Sequence, residues 1–268
     1  MAGPQPAAAA ASDGELSPPS PSRYERRKAH DPGGIGKFYL GREIARVVGA
    51  EGIARFERPE REAEEQPERL IEALQLEGGE VVADLGAGSG YYTFRLAKAV
   101  GPTGTVLAVE IQDAMLAALR KRAAELRATN VGLVRATPTD PRLPAQRLDL
   151  VLLVHVYHEL EHPYEVMAKA VQALKPGGRI VLVEHRAEDP ELLVAPLHRM
   201  SEAQMVREMN AVGLEHLQTL DAVPRQHVLV FGRLQATAYS LQPEARRVSI
   251  ARERLLRCGH HVPSGLHP

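Results

Sequence analysis

At 268 residues, 44% of them apolar and 25% charged, the chain has room for one sizeable core with appendages. Lysine and arginine number 33 against 34 acidic residues, a formal net charge of −1 that disfavours a nucleic-acid face. A single cysteine, Cys258, excludes an internal disulfide framework and a thiolate metal cage, and no apolar run reaches the ~18 residues of a bilayer span.

Residues 1–34 are rich in Pro, Ala, Ser and Gly and are expected to be disordered. The alanine run Ala7–Ala11 lacks a basic region before it and reads poorly as a signal peptide, so a cytoplasmic location is expected. Residues 35–77 are expected to form a helical cap. Tyr39, Leu40, Ile44, Val47 and Val48 recur at helical spacing and predict an amphipathic helix over 37–49. A charge-dense stretch, 55–67, follows, usually a solvated face, and Glu68–Leu76 reads as a second helix.

Residues 78–233 then alternate strand and helix. Strands are expected at 81–85, 105–110, 131–135, 148–154, 179–184, 215–221 and 226–232, with helices at 91–100, 113–128, 164–174 and 201–212. Repeated βα units imply an α/β fold, a doubly wound and mostly parallel seven-stranded sheet. Only Asp221–Arg225 separates the last two strands, so they make a C-terminal antiparallel hairpin. Residues 234–268 form an extension, with a basic helix conceivable over 244–257.

The richest motif is Asp84-Leu85-Gly86-Ala87-Gly88-Ser89-Gly90-Tyr91, an apolar strand ending in an acid and a loop with glycine at alternate positions. Such glycines let a ligand lie against the backbone, and the following helix N-terminus favours a polar group. A dinucleotide fingerprint would read G-x-G-x-x-G; here its third glycine falls on Tyr91. Downstream, Thr105–Val109 ends in Glu110, whose carboxylate can accept both hydroxyls of a cis-diol, while Asp84 can meet an ammonium group. Leu174-Lys175-Pro176-Gly177-Gly178-Arg179 stands just before the fifth strand expected at 179–184.

These three motifs, in this order, resemble the class I S-adenosylmethionine-dependent methyltransferases, and the resemblance covers roughly residues 68–232. The layout is closest to small-molecule enzymes of the ubiquinone/menaquinone-methyltransferase type. It implies S-adenosylmethionine as cofactor and methyl donor, bound by Asp84, Gly86, Ala87, Gly88, Gly90, Tyr91, Glu110, Ile111, Thr137 and His155. The family's polar residue after the third strand is displaced here to Asp140, leaving Thr137 or the Ala136 backbone for the adenine. In relatives a cap covers this site, so Arg58 or Arg61 can reach a substrate. A small-molecule acceptor is implied, methylated on oxygen or carbon; the oligomeric state is left open.

After the fourth strand comes Val154-His155-Val156-Tyr157-His158-Glu159-Leu160-Glu161-His162-Pro163. His155, Tyr157, His158 and Glu159 stand where the resemblance puts the reacting methyl and are the catalytic candidates, His155 as a base. His158–His162 also spells H-E-x-x-H, the zinc-protease helix, but Pro163 biases His162 away from helical geometry and the flanks are a buried strand and a crossover helix. No metal is therefore expected. A second reading, a partner subunit of the same fold that binds the cofactor without turnover, stays open; nicotinamide-dependent oxidoreduction fails on glycine spacing and on the terminal hairpin.

Overall fold

The computed structural model describes residues 23–49, 52–53 and 57–233. The expectations for 1–22 and 234–268 lie outside these.

The main sheet comprises β4 (Val81–Leu85), β5 (Thr105–Glu110), β6 (Val131–Arg135), β7 (Leu148–Val154), β8 (Leu174–Arg186), β10 (Leu214–Thr219) and β11 (Gln226–Arg233), in the order β10-β11-β8-β7-β4-β5-β6. A two-residue strand, β9 (Arg199–Met200), pairs parallel to β8 at His185 and Arg186 and makes an eighth member that the sequence did not announce. β4 to β8 pair in parallel, and β11 lies antiparallel between β8 and β10. The parallel sheet and terminal hairpin stand as expected.

Strand periodicity builds two cores. Along β8, Ile180 and Leu182 face one layer and Val181 and Val183 the other; along β7, Val151 and Leu153 alternate with Leu150 and Leu152 in the same way. The first layer is closed by α5 (Pro163–Ala173) and α6 (Glu202–Asn210) through Met167, Ala170, Met205 and Met209. The second is closed by α2 (Pro67–Ala73) and α3 (Thr93–Ala99) through Leu70, Ile71, Leu74 and Leu96. α4 (Asp113–Glu125) packs Leu116 and Leu119 beside Ala87 and Ala108. Ser201 caps α6, its hydroxyl accepting from the Gln204 amide at 3.2 Å.

The expected helical cap is corrected. Residues 37–49 do not form a helix: β1 (Tyr24–Arg26), β2 (Gly34–Tyr39) and β3 (Arg42–Ala45) make an antiparallel three-stranded sheet. Order therefore reaches back to 23, inside the stretch expected to be disordered. Tyr39 faces Arg42 in the register, and the two residues between them, Leu40 and Gly41, both have positive φ, 48° and 91°. That is the two-residue hairpin turn whose twist matches its strands. Leucine is an unusual residue in that conformation, so the turn carried no Asn-Gly signature. The cap's helical part is confined to α1 (Glu60–Glu65) and α2, separated by Gln66 at φ 47°.

Candidate functional site

A cavity of about 750 Å³ opens at the carboxyl ends of β4, β5, β6 and β7, walled on the outside by α1 and by Val47 and Val48. Parallel strands bring their ends to one edge of the sheet, which is where ligands of such folds bind. The glycine loop forms its floor. Gly86, Gly88 and Gly90 all have positive φ (82°, 54° and 93°), but they serve different ends. A Cβ on Gly86 would stand 2.4 Å from Val156, and one on Gly90 2.5 Å from Phe94; both glycines are needed for protein packing. A Cβ on Gly88 would meet no protein atom within 4 Å, so its bare backbone faces the cavity and leaves room for a ligand.

Glu110 ends β5 and is buried. Its carboxylate accepts from the amides of Gly88 (2.9 Å), Ile111 (2.7 Å) and Gln112 (2.9 Å). Three backbone donors fix both oxygens at the cavity wall, with acceptor capacity left over for hydroxyls. Asp84 ends β4, also buried, and accepts from the Thr93 hydroxyl at 2.6 Å. Burial pushes its pKa up to about 6, against the lowering effect of that hydrogen bond. Arg61 of α1 lines the same cavity, pairs with Glu65 at 2.8 Å and lies over the Tyr91 ring at 3.9 Å. Tyr91 itself is buried at the cavity edge. Arg58 also lines the cavity.

The Ala136 and Thr137 amides are already engaged. The Ala136 amide donates to the Glu110 carbonyl at 2.9 Å and the Thr137 amide to the Asp140 carbonyl at 2.8 Å. The Thr137 hydroxyl also turns to the Asp140 carbonyl, at 3.3 Å. Neither amide is left to donate to a base. Thr137 still lines the cavity, beside Ile111, Met115 and Pro138.

The other half of the cavity is rich in histidine. His155, at the end of β7, has φ 54°, a left-handed conformation for a side-chain-bearing residue. The residue is half-buried with both ring nitrogens shielded from solvent; the ring stacks on His185 at 3.9 Å, and neither nitrogen has a hydrogen-bond partner. Burial, with His185 next, holds its pKa well below the ordinary histidine value, which favours the neutral ring. His158 is bonded through Nδ1 to buried Glu184 at 2.7 Å, and its Nε2 lies 2.9 Å from Nδ1 of His198. Burial works to lower its pKa, but the Glu184 carboxylate outweighs that and raises it. Glu159 lines the cavity, accepts from the Val48 amide at 3.1 Å, and is pushed by burial up to about 7.

Tyr157 does not belong with them. It is absent from the cavity wall, and its hydroxyl donates to Glu208 at 2.8 Å. Residues 157–159 form a single 3₁₀ turn, which turns Tyr157 inward while His158 and Glu159 face the cavity. The H-E-x-x-H reading is also resolved. His162 lies outside any helix, at the start of α5, with its ring against the Lys37 ammonium at 3.1 Å, so the motif's two histidines do not converge.

Sequence reasoning missed Thr93, Glu184, His185 and His198. The run Val181-Leu182-Val183 ending in Glu184-His185 was a usable signal, since charge at the carboxyl end of a buried strand sits where ligands bind. For His198 there was none: it arrives on a 3₁₀ turn, Pro196–His198, after an irregular loop.

Residues 83–180 match the model of a methyltransferase domain family. Among curated proteins, the ubiquinone/menaquinone biosynthesis C-methyltransferase UbiE of Ectopseudomonas mendocina is 32% identical over 115 residues, 42% of this chain and 45% of that protein. An uncharacterized 37.1 kDa transposon protein of Streptomyces fradiae is 34% identical over 118 residues, 43% of this chain and 33% of that one. The chain thus spans less than half the length of these relatives. A SAM-dependent methyltransferase structure from Aquifex aeolicus superposes with a TM-score of 0.65 at 21% identity, over 69% of this chain and 98% of that one. The [4+2]-cyclase SpnF superposes at 0.53 with 16% identity, over 62% and 80%, a likeness of fold alone. The match over residues 83–180 is to a methyltransferase domain, and the fold around it is the one seen in S-adenosylmethionine-dependent methyltransferases.

Proposed function

We propose that the protein transfers a methyl group from S-adenosylmethionine to an oxygen or carbon of a small-molecule acceptor in the cytoplasm. The observation that carries this is the seat at the ends of β4 and β5. Glu110 is held by three amides beside the open Gly88, and Asp84 is buried 2.6 Å from a hydroxyl donor. These residues fit the donor's parts by charge and shape. Glu110 accepts from the two ribose hydroxyls, Asp84 faces the amino-acid ammonium, and Arg61, on the same side, takes its carboxylate. Gly88 gives the backbone room, and Ile111 and Pro138 offer apolar faces to the adenine.

When bound, the donor supplies a sulfonium methyl, so attack forms the new bond to carbon while the sulfur keeps the electron pair of the broken one. The protein's share is alignment of the acceptor in a water-poor cavity. His155, with both ring nitrogens unpartnered in the cavity wall, is placed to receive a proton from an acceptor hydroxyl, with the lost sulfonium charge offsetting the cost of the imidazolium. Leu192, Val194 and Ala195 add apolar wall on that side, which suits an acceptor with a hydrocarbon body.

Calorimetric titration with S-adenosylmethionine, its demethylated product and NAD tests the reading. Glu110→Ala should abolish binding of the first two, whereas His155→Ala should keep binding and slow transfer to an acceptor. Binding of NAD alone would overturn the assignment, and binding of S-adenosylmethionine without turnover across an acceptor panel would favour the partner-subunit reading.

A further inference from the structure

We infer that His158, Glu159 and His198 form a binding site for one divalent transition-metal ion in the acceptor half of the cavity. Their ligand atoms all lie within 4.8 Å of one another, and all three residues line the cavity. Nδ1 of His158 is bonded to the buried carboxylate of Glu184 at 2.7 Å, which turns Nε2 toward the cluster. A carboxylate behind a histidine is the arrangement that orients imidazole ligands in metal sites. His158 also receives a second restraint, because its amide donates to the other Glu184 oxygen at 3.2 Å. Glu184 is a wholly buried acid whose side-chain hydrogen bonds among the described residues both go to this one histidine, an arrangement that fixes the orientation of His158.

Nε2 of His158 and Nδ1 of His198 are 2.9 Å apart. Two imidazole nitrogens bound at ~2.0–2.1 Å in tetrahedral geometry stand about 3.3 Å apart, so a few tenths of an ångström of opening admits an ion. His198 stands half-buried on the turn before β9, and the shift asked of it is that small. Two imidazoles and one carboxylate suit zinc, cobalt or iron in the divalent state rather than magnesium or calcium, which demand oxygen ligands. A fourth position is left open toward the cavity. There the ion would place an oxygen of the acceptor, and this last step alone rests on the methyl-transfer reading.

The test uses the full chain, free of any histidine tag, titrated with Co²⁺ while its visible absorption is followed. One Co²⁺ per chain is expected, with ligand-field bands that Zn²⁺ competes away. His198→Ala and Glu159→Gln should each weaken binding at least 100-fold. Glu184→Gln should weaken it roughly 10- to 100-fold, the usual effect of losing a ligand's supporting group, and His216→Ala on β10 should leave it unchanged. Absence of the bands, or bands that survive both His198→Ala and Glu159→Gln, would overturn the proposal. S-adenosylmethionine titration of the same samples separates the readings, since the metal site can fail while the cofactor seat holds, and the reverse.

Discussion

Asp84 sits in a conflict between stability and binding. Its pKa is pushed up to about 6 by burial, above the ordinary carboxylate value, so the folded state favours the protonated form. The cost of ionising it is absent below about pH 4, grows as pH rises through that window and is complete above pH 6, on the order of 1–3 kcal/mol. Asn at this position keeps an acceptor for the Thr93 hydroxyl and removes the buried charge. Asp84→Asn should therefore raise the melting temperature of the free protein at pH 8, an advantage that fades by pH 4. The same change should weaken S-adenosylmethionine binding and flatten its pH dependence, which in the native protein falls below pH 6. A variant less stable than the native protein at pH 8 would show that Asp84 is compensated by groups other than Thr93. A second residue-scale expectation concerns the glycines. Gly86→Ala should lose both stability and binding because its Cβ meets Val156 at 2.4 Å, whereas Gly88→Ala should spare packing, apart from its positive φ, and act chiefly on the ligand. Comparing chemical denaturation with cofactor titration separates the two.

At the scale of elements, a cluster around wholly buried Glu208 ties the N-terminal sheet to the core, alongside contacts such as Lys37 to the Glu161 carbonyl. Arg42 on β3 bonds Glu208 of α6 through Nε (2.7 Å) and Nη2 (2.9 Å), and donates through Nη1 to the His158 carbonyl at 2.9 Å. Tyr157 and Gln204 donate to the same carboxylate, each at 2.8 Å. Glu208 is wholly buried, so removing its cation strands a charge. Arg42→Met should cost about 3–5 kcal/mol in urea denaturation, while the double variant with Glu208→Met should cost less than the two singles together. Strict additivity would mean the pair is not coupled. This cluster also explains what was legible. Tyr157 and Glu208 are both polar groups in apolar surroundings, and sequence alone read the first as catalytic, because a strand-end position cannot say which way a single 3₁₀ turn points its side chains. The strands and helices of 81–233 were legible since each carries its own period. Residues 37–49 were not: Tyr39, Ile44 and Val48 fit a helical spacing equally well, and the deciding feature was backbone φ at Leu40. Likewise Asp84, Gly88 and Glu110 were visible because local motifs carry them, whereas His158 meets His198 only through a loop whose path no local pattern encodes.

At the scale of the molecule, the cavity has two chemically distinct halves, a carboxylate-and-glycine half on β4 and β5 and a histidine half on β7 and β8. No helix among the described residues is long and apolar enough to cross a membrane. If the halves are separate sites, each ligand should stabilise the fold by mass action alone. At 100 times its dissociation constant a ligand adds about 2.7 kcal/mol, and a domain of this size gains about 2–4 °C per kcal/mol, so S-adenosylmethionine should raise the melting temperature by roughly 5–11 °C. Co²⁺ at the same relative concentration should add a comparable increment, and both together should give the sum. Glu110→Ala should erase the first increment and keep the second, and His198→Ala should do the opposite. A combined shift well above or below the sum would be a coupling free energy between the halves, equal in either direction, which would mean that filling one half rearranges the other. Loss of both increments in His198→Ala would instead place this histidine in the cofactor seat and merge the two sites into one.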